Sequence, residues 1–194
     1  NKYNVDSKVD ILDIYILVDN SKWNKIAIEI YNYKPIKTHL RKKVLSILLK
    51  NNKESLVIDL VKESRVNNKM KGFYSLELGM YFALKFDFNQ AIKEYLIYLE
   101  SNPKNIRLIT QRIMLLTENI TSINIIKNEL TESPLNESKI ILSKLEFKLK
   151  HYEQSYNILK DVSDSDKYKL ELSEDLIKLK NYTLAHKVIN NILD

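Results

Sequence analysis

The stretch "FDFNQAIKEYLIYLESNPKN", residues 86–105, has an aromatic residue, an alanine and a second aromatic residue at spacings of three and four. These residues are Phe88, Ala91 and Tyr95, and such spacings place side chains on one face of an α-helix. A larger apolar residue at position 91 would bury more surface than alanine does. The alanine therefore indicates that a second helix packs closely against this one.

The same pattern recurs along the C-terminal part of the chain. Further copies are Tyr152-Ser155-Leu159, Tyr182-Ala185-Ile189 and, less completely, Ser122-Ile126. The small positions 91, 122, 155 and 185 are separated by 31, 33 and 30 residues. Pro103 and Pro134 each follow a small position by 12 residues, which supports this register. A period of this length is typical of helical repeat proteins.

An earlier helical pattern precedes each copy and completes a two-helix unit. The apolar residues thirteen positions before the small ones are Leu78, Ile109, Leu142 and Leu172. Short polar turns are predicted between the two helices at 85–87, 118–119, 150–151 and 180–181. One helix pair cannot bury both of its apolar faces, whereas stacked pairs can. The sequence therefore predicts stacked helix pairs.

With these residues the chain resembles the tetratricopeptide repeat family, whose unit has 34 residues. The best unit matches that pattern at Leu78, Gly79, Phe82, Ala91, Tyr95 and Pro103. The other units are shorter and depart from the pattern, with Thr110, Ser143 and Ser173 at the glycine position. The resemblance covers residues 72–194 and implies an all-α, right-handed α-solenoid of antiparallel helix pairs.

The N-terminal region is predicted to continue the same architecture. Four helices are expected in residues 11–20, 21–33, 38–51 and 53–64. We therefore predict a single repeat domain over residues 1–194 with about six helix pairs. Its parts are two degenerate pairs in 8–70, the best unit in 72–103, and degenerate units in 104–134, 136–164 and 166–194.

Composition limits both the fold and the chemistry. With 2 Gly and 3 Pro the chain has few of the residues that break helices, and with no Cys it has no disulfide or thiolate site. No segment approaches the ~18 apolar residues of a membrane span. The first residue, Asn1, suggests an excised fragment, and the compartment is left open between cytoplasm and periplasm.

The resemblance also implies which side chains bind a partner. In such superhelices the first helix of each pair lines the concave surface. The side chains expected there are Phe73, Leu76, Met80, Ala83, Lys104, Arg107, Gln111, Met114, Ile140, Lys144 and Phe147. Their mixture of cations and apolar groups favours an amphipathic or acidic peptide. Leu76 and Met80 occupy positions where chaperone-tail receptors hold a carboxylate, so that partner is not expected.

A basic cluster lies between Glu29 and Glu54. It consists of Lys34, Lys37, Arg41, Lys42, Lys43, Lys50 and Lys53. Such a cluster could neutralise nucleic acid, an anionic membrane surface or a polysaccharide. The alternative interpretation, which we prefer to nucleic acid binding, is a solvated helix face in a lysine-rich chain.

Catalysis has little support in the sequence. The three histidines, His39, His151 and His186, are scattered, and neither a His-x-x-x-His pair nor a glycine-rich phosphate loop occurs. We therefore expect no active site, cofactor or metal. The leading hypothesis is a non-catalytic protein-binding scaffold in a larger assembly or polypeptide. The alternatives are an accessory repeat domain of a bacterial envelope, secretion or polysaccharide-export machine, which would use the basic cluster, and a regulatory domain that senses a short peptide.

Overall fold

The computed structural model describes residues 5–18, 21–33, 38–67 and 70–193. Over these residues the chain forms twelve α-helices and one short 3-10 turn, with no β-strand. The predicted all-α fold is thus confirmed. Backbone contacts divide the chain into two compact units, Asn1–Tyr74 and Ser75–Asp194, which we call the N-terminal and C-terminal units.

The N-terminal unit has the four predicted helices. They are α1 (Val5–Leu17), α2 (Trp23–Asn32), α3 (Thr38–Lys50) and α4 (Glu54–Asn67). Helix α1 packs against α2 and α3, and α3 also packs against α2 and α4. The core is made of apolar side chains spaced at helical intervals, among them Val9, Leu12, Ala27, Ile30, Val44, Leu48, Val57 and Val61.

A buried polar contact joins α2 to α4. The Tyr31 hydroxyl lies 2.7 Å from Ser64 Oγ and donates to the Leu60 carbonyl oxygen at 3.3 Å. Burial raises the pKa of Tyr31, so its hydroxyl keeps the proton that it donates. Because buried polar groups are costly without partners, this contact fixes how the two helices meet.

The C-terminal unit has eight helices. They are α5 (Ser75–Leu84), α6 (Phe88–Ser101), α7 (Ile106–Leu115), α8 (Ile120–Glu132), α9 (Asn136–Lys148), α10 (Tyr152–Leu159), α11 (Asp166–Lys178) and α12 (Tyr182–Leu193). All four predicted turns lie between helices, and Pro103 begins the 3-10 turn Pro103–Asn105 that leads into α7. Three consecutive pairs, α5 with α6, α9 with α10 and α11 with α12, pack closely as hairpins.

Small residues allow close packing in two of these hairpins. A Cβ atom added to Gly79 would lie 2.5 Å from Cε1 of Tyr95, so the ring of α6 rests directly on the backbone of α5. In the α9–α10 hairpin, Ser143 Oγ donates to the Ser155 carbonyl oxygen at 2.9 Å and lies 3.0 Å from Ser155 Oγ. The predicted close approach of paired helices is confirmed at both places.

The three hairpin turns share one backbone conformation. Phe86, Lys150 and Lys180 have φ values of 61°, 66° and 62°. The N–H of the next residue donates to a carbonyl oxygen five positions back, for example from His151 to Glu146 at 2.9 Å. This Schellman motif satisfies a carbonyl group that the end of the first helix leaves unpaired. Asn52, between α3 and α4, has φ 56° and the same bond pattern.

Replacing Lys150 by glycine is expected to stabilise the C-terminal unit by about 0.5–1 kcal/mol, because glycine adopts a positive φ without the Cβ penalty. Urea denaturation followed by circular dichroism measures this change. The control is Lys139→Gly, in the exposed interior of α9, which should instead lower stability by about 1 kcal/mol. Destabilisation by both substitutions would mean that Lys150 is not strained.

The second pair of the C-terminal unit departs from this pattern. Helices α7 and α8 barely touch, and both pack against α6 and α9 instead. None of residues 116–119 has a positive φ. Helix α8 begins with a capping box, in which Asn119 Oδ1 accepts from the Ser122 N–H at 2.9 Å. Ser122 is fully buried as predicted, but it serves the helix cap rather than a close α7–α8 contact.

The C-terminal end of α7 is capped by a side chain from α9. Lys148 Nζ donates to the Met114 carbonyl oxygen at 2.9 Å and to Thr117 Oγ1 at 2.7 Å. A cation at this position also interacts favourably with the helix dipole. The α7 terminus is therefore capped from a neighbouring pair, whereas the hairpin turns are capped locally.

Candidate partner-binding surface

The predicted binding residues of the best unit line neither of the cavities described below. Phe73 is only 6% exposed, because it lies in the turn before α5, and its carbonyl oxygen accepts from Arg65 Nε at 3.1 Å. Leu76 is half-buried and packs against the core, whereas Met80 is exposed. Phe73 is therefore not accessible, although the sequence predicts it as a binding side chain, because it lies in the turn before α5 and not on the helix.

Two adjoining cavities lie along α7, α9 and α11. The larger, of about 560 Å3, is lined by Lys104, Arg107, Thr110 and Lys167 among others. The smaller, of about 210 Å3, lies between α9 and α11 and includes Ile140 and Phe147. Lys144, Tyr168 and Glu171 line both cavities. We call this region the first-helix surface and the smaller cavity the α9–α11 cleft.

The cleft lies where α10 packs against both α9 and α11, because few backbone positions of α9 and α11 approach each other directly. Its buried apolar walls are Ile140 and Leu172, and Leu159 of α10 contributes from below. Phe147 is half-buried, with its ring centre 5.1 Å from that of Tyr152. The gap between the two first helices therefore has apolar walls that are interrupted by the polar side chains of Ser143, Ser155 and Asp175.

An ion pair crosses the mouth of the cleft. Lys144 Nζ lies 2.8 Å from Glu171 Oε2, and the two side chains are 40% and 42% exposed. Lys144 Nζ also lies 5.2 Å from the centre of the Tyr168 ring. Burial raises the pKa of Tyr168, and the carboxylates of Glu171 and Glu137 raise it further, so the phenol is neutral at pH 7.

The larger cavity has an excess of positive charge. Lys104, Arg107 and Lys167 are exposed, and none of the described residues forms an ion pair with them. With Lys144 they make four cations beside one carboxylate, that of Glu171. The far end of the cleft holds a second carboxylate, Asp175, which is 2.7 Å from Lys178 Nζ. The positive field is therefore concentrated towards α7.

The structure thus brings together Lys104, Arg107, Ile140, Lys144 and Phe147 from the predicted set. Gln111 and Met114 lie on α7 but line neither cavity. Four polar residues of α11 that line the cavities were not predicted from the sequence, namely Lys167, Tyr168, Glu171 and Asp175. Lys167 could have been found, since it precedes Ser173 by six residues as Lys104 precedes Thr110. Tyr168 and Glu171 lie on the side of α11 that faces the cleft, which no sequence pattern marked.

Two lysines of the basic cluster of the N-terminal unit pair with acidic side chains of α1. Lys43 Nζ lies 2.6 Å from Asp10 Oδ1, and Lys50 Nζ lies 2.9 Å from Asp13 Oδ2. Hydrogen bonds from Lys50 and Asn51 lower the pKa of Asp13. These lysines therefore present less net positive charge than the sequence suggests.

Two more members of the cluster contact aromatic rings. Arg41 lies 5.6 Å from the centre of the Tyr31 ring and donates from Nε to the Tyr31 carbonyl oxygen at 3.2 Å. Lys53 Nζ lies 4.8 Å from the centre of the Trp23 ring. Lys42 is half-buried, and Lys34 and Lys37 lie outside the described residues. Neither of the two cavities of the first-helix surface involves these cations.

The buried carboxylate of Glu146, on α9, contacts one side chain from α8 and one from the residue just before α10. The Glu146 side chain is fully buried, and Lys127 Nζ contacts its Oε1 as an ion pair. His151 Nδ1 lies 2.8 Å from Oε2 of the same carboxylate. His151 thus has a structural role. His186 Nδ1 lies 3.3 Å from Asn190 Nδ2. Across the described residues, no three acidic, histidine or cysteine side chains are grouped as a metal site would require.

Comparisons with known proteins do not assign a family. No model of a known protein family matches the chain, and no curated protein matches it significantly. None of the described helices is both long and apolar enough to cross a membrane. The first-helix surface is therefore the feature from which a function can be inferred.

Proposed function

We propose that this protein is a non-catalytic scaffold that binds a segment of a partner protein on its first-helix surface. In this proposal the helix pairs form a right-handed, tetratricopeptide-like solenoid, within a larger assembly or polypeptide. The observation that carries the proposal is the adjoining of a cationic cavity and an apolar cleft on successive first helices. An apolar slot supplies affinity, and surrounding charges set the orientation and speed of encounter.

The surface is suited to binding without large rearrangement. Most of its side chains lie on α7, α9 and α11, and these helices pack against α6 and α10. A preformed site avoids the entropy cost of ordering a loop on binding. Exposed cations and half-buried aromatic rings, such as Arg107 and Phe147, are residue types that often dominate binding energy.

Selection from a random twelve-residue peptide library on the immobilised chain tests this proposal. We expect the selected peptides to bind the wild-type chain and to lose at least tenfold in affinity for Arg107→Glu, because the substitution reverses a central charge. Lys139→Glu is the matched control, since Lys139 is exposed on α9 and lines neither cavity. Its affinities should stay within twofold of wild type.

Two outcomes would count against the docking role. In one, the selected peptides bind Arg107→Glu and the wild-type chain equally well. In the other, no peptide is enriched above the background of a bare support. Circular dichroism spectra of both variants establish that a lost affinity is not lost folding.

A further inference from the structure

Building on the docking function proposed above, we propose what the partner segment looks like. The α9–α11 cleft takes up one bulky apolar side chain, and the residues beside that side chain are acidic. In the free protein Glu171 occupies the place of a partner carboxylate on Lys144. The partner is thus an acidic protein segment with a single apolar anchor.

The size of the cleft limits the anchor to one side chain. Its volume is about 210 Å3, and an apolar cavity of about 150 Å3 is large enough to bind benzene. A phenylalanine, tryptophan, leucine or methionine side chain therefore fits, whereas two such side chains do not. The walls contributed by Ile140, Leu159 and Leu172 are aliphatic, Phe147 adds an aromatic surface, and the lining serines Ser143 and Ser155 hydrogen-bond to each other. Such walls favour an apolar group over a charged one.

The charges around the cleft select acidic neighbours for the anchor. Lys104, Arg107 and Lys167 lie in the adjoining cavity, and the described residues offer them no ion-pair partner. An anchor seated in the cleft places its neighbouring residues beside these cations. Carboxylates there gain charge-assisted hydrogen bonds, and lysines there are repelled.

The ion pair between Lys144 and Glu171 can be broken at little cost in free energy. Both side chains are about two-fifths exposed, and an ion pair this accessible to water is weak. An incoming carboxylate can replace Glu171 on Lys144 while the anchor enters below. Glu171 thus competes with the partner carboxylate for Lys144.

The test uses twenty fluorescein-labelled peptides, Ser-Asp-Glu-Glu-X-Glu-Glu-Asp-Ser, with each amino acid in turn at X. Fluorescence anisotropy at low and physiological ionic strength measures their affinities for the full chain. We expect binding when X is phenylalanine, tryptophan, leucine or methionine, and at least tenfold weaker binding when X is alanine, glycine or lysine. Salt should weaken binding of the whole series, because the flanking contacts are ionic.

Two substitutions at the mouth of the cleft should act in opposite directions. Glu171→Gln should tighten binding of the phenylalanine peptide two- to fivefold, because it removes the competitor for Lys144. Lys144→Gln should weaken it at least fivefold. The control is Glu174→Gln, which removes an equal charge from an exposed position of α11 outside both cavities and should change the affinity less than twofold.

The outcomes separate this inference from the docking function. The inference is overturned if no peptide of the set binds, if affinity is independent of X, or if Glu171→Gln weakens binding. Library peptides that lack acidic residues, depend on Arg107 and ignore Glu171→Gln would keep the docking function and overturn only the inference. Binding that is equal in all variants would remove both.

Discussion

Replacing Lys127 by methionine is expected to lower the free energy of unfolding of the C-terminal unit by about 3 kcal/mol. The reason is the Glu146 carboxylate, which is fully buried and loses its ion-pair partner in this variant. Only His151 would still contact it, from the partly exposed side of the site. A buried charge without its partner is among the most destabilising defects in a folded protein. Urea denaturation followed by circular dichroism measures the loss.

Two further variants isolate the cause of this effect. The double variant Lys127→Met/Glu146→Leu removes both charges and should recover most of the lost stability. Lys187→Met is the matched control, since Lys187 Nζ lies 3.6 Å from Glu153 Oε2 and both side chains are more than half exposed. It should cost less than about 1 kcal/mol. Equal losses for Lys127→Met and Lys187→Met would show that burial of Glu146 does not decide the stability.

The second large effect is expected at Gly79. Replacing it by valine should destabilise the C-terminal unit by about 3 kcal/mol, at the upper end of the cost of overpacking a core. The new Cβ would lie 2.5 Å from Cε1 of Tyr95 and 2.6 Å from Cδ1, and that ring is buried and cannot move far. Denaturation curves of the variant and the wild-type chain give the difference.

Gly79→Ala separates packing from helix propensity. Alanine stabilises a helix by about 1 kcal/mol relative to glycine, so this variant should lose less than the valine variant does. In a Tyr95→Leu background the clash disappears, and Gly79→Val should then cost much less than in the wild-type chain. An undiminished loss in that background would place the cause outside the Gly79–Tyr95 contact.

Much of the fold follows from local signals in the sequence. The positions of Ala91 and Ser155 predict where helices meet, because a small side chain at a fixed helical spacing sacrifices buried surface unless a second helix packs there. The turns at 85–87, 150–151 and 180–181 follow from the break in apolar periodicity. Their positive φ values could not be predicted, since Phe86, Lys150 and Lys180 are not the glycine or asparagine that usually mark this conformation.

The repeat pattern fails as a guide at the second pair. Ser122 fits the pattern, and the pattern alone predicts a close contact with the preceding helix. The competing signal was the spacing of Asn119 and Ser122, which is that of an N-terminal capping box. Because a close helix contact and a helix cap both accommodate a small polar residue, only the three-dimensional packing decides between them.

The candidate site was predictable in part. Helical register alone places Arg107 and Lys144 on one surface, because that register repeats with each pair. The α9–α11 cleft was not predictable, since it depends on how far apart two helices are held by a third. The net charge of the basic cluster was also not predictable. Lys43 and Lys50 pair with acids 33 and 37 residues away, and sequence proximity cannot show such pairing.

The Lys148 contact with the end of α7 has a consequence for the order of assembly. A hairpin closed by its own turn can form early, because its ends are already close in the chain. The last turn of α7 is instead capped by Lys148, a residue 34 positions downstream from Met114. We therefore expect the last turn of α7 to become fully ordered only after α9 has been synthesised and packed.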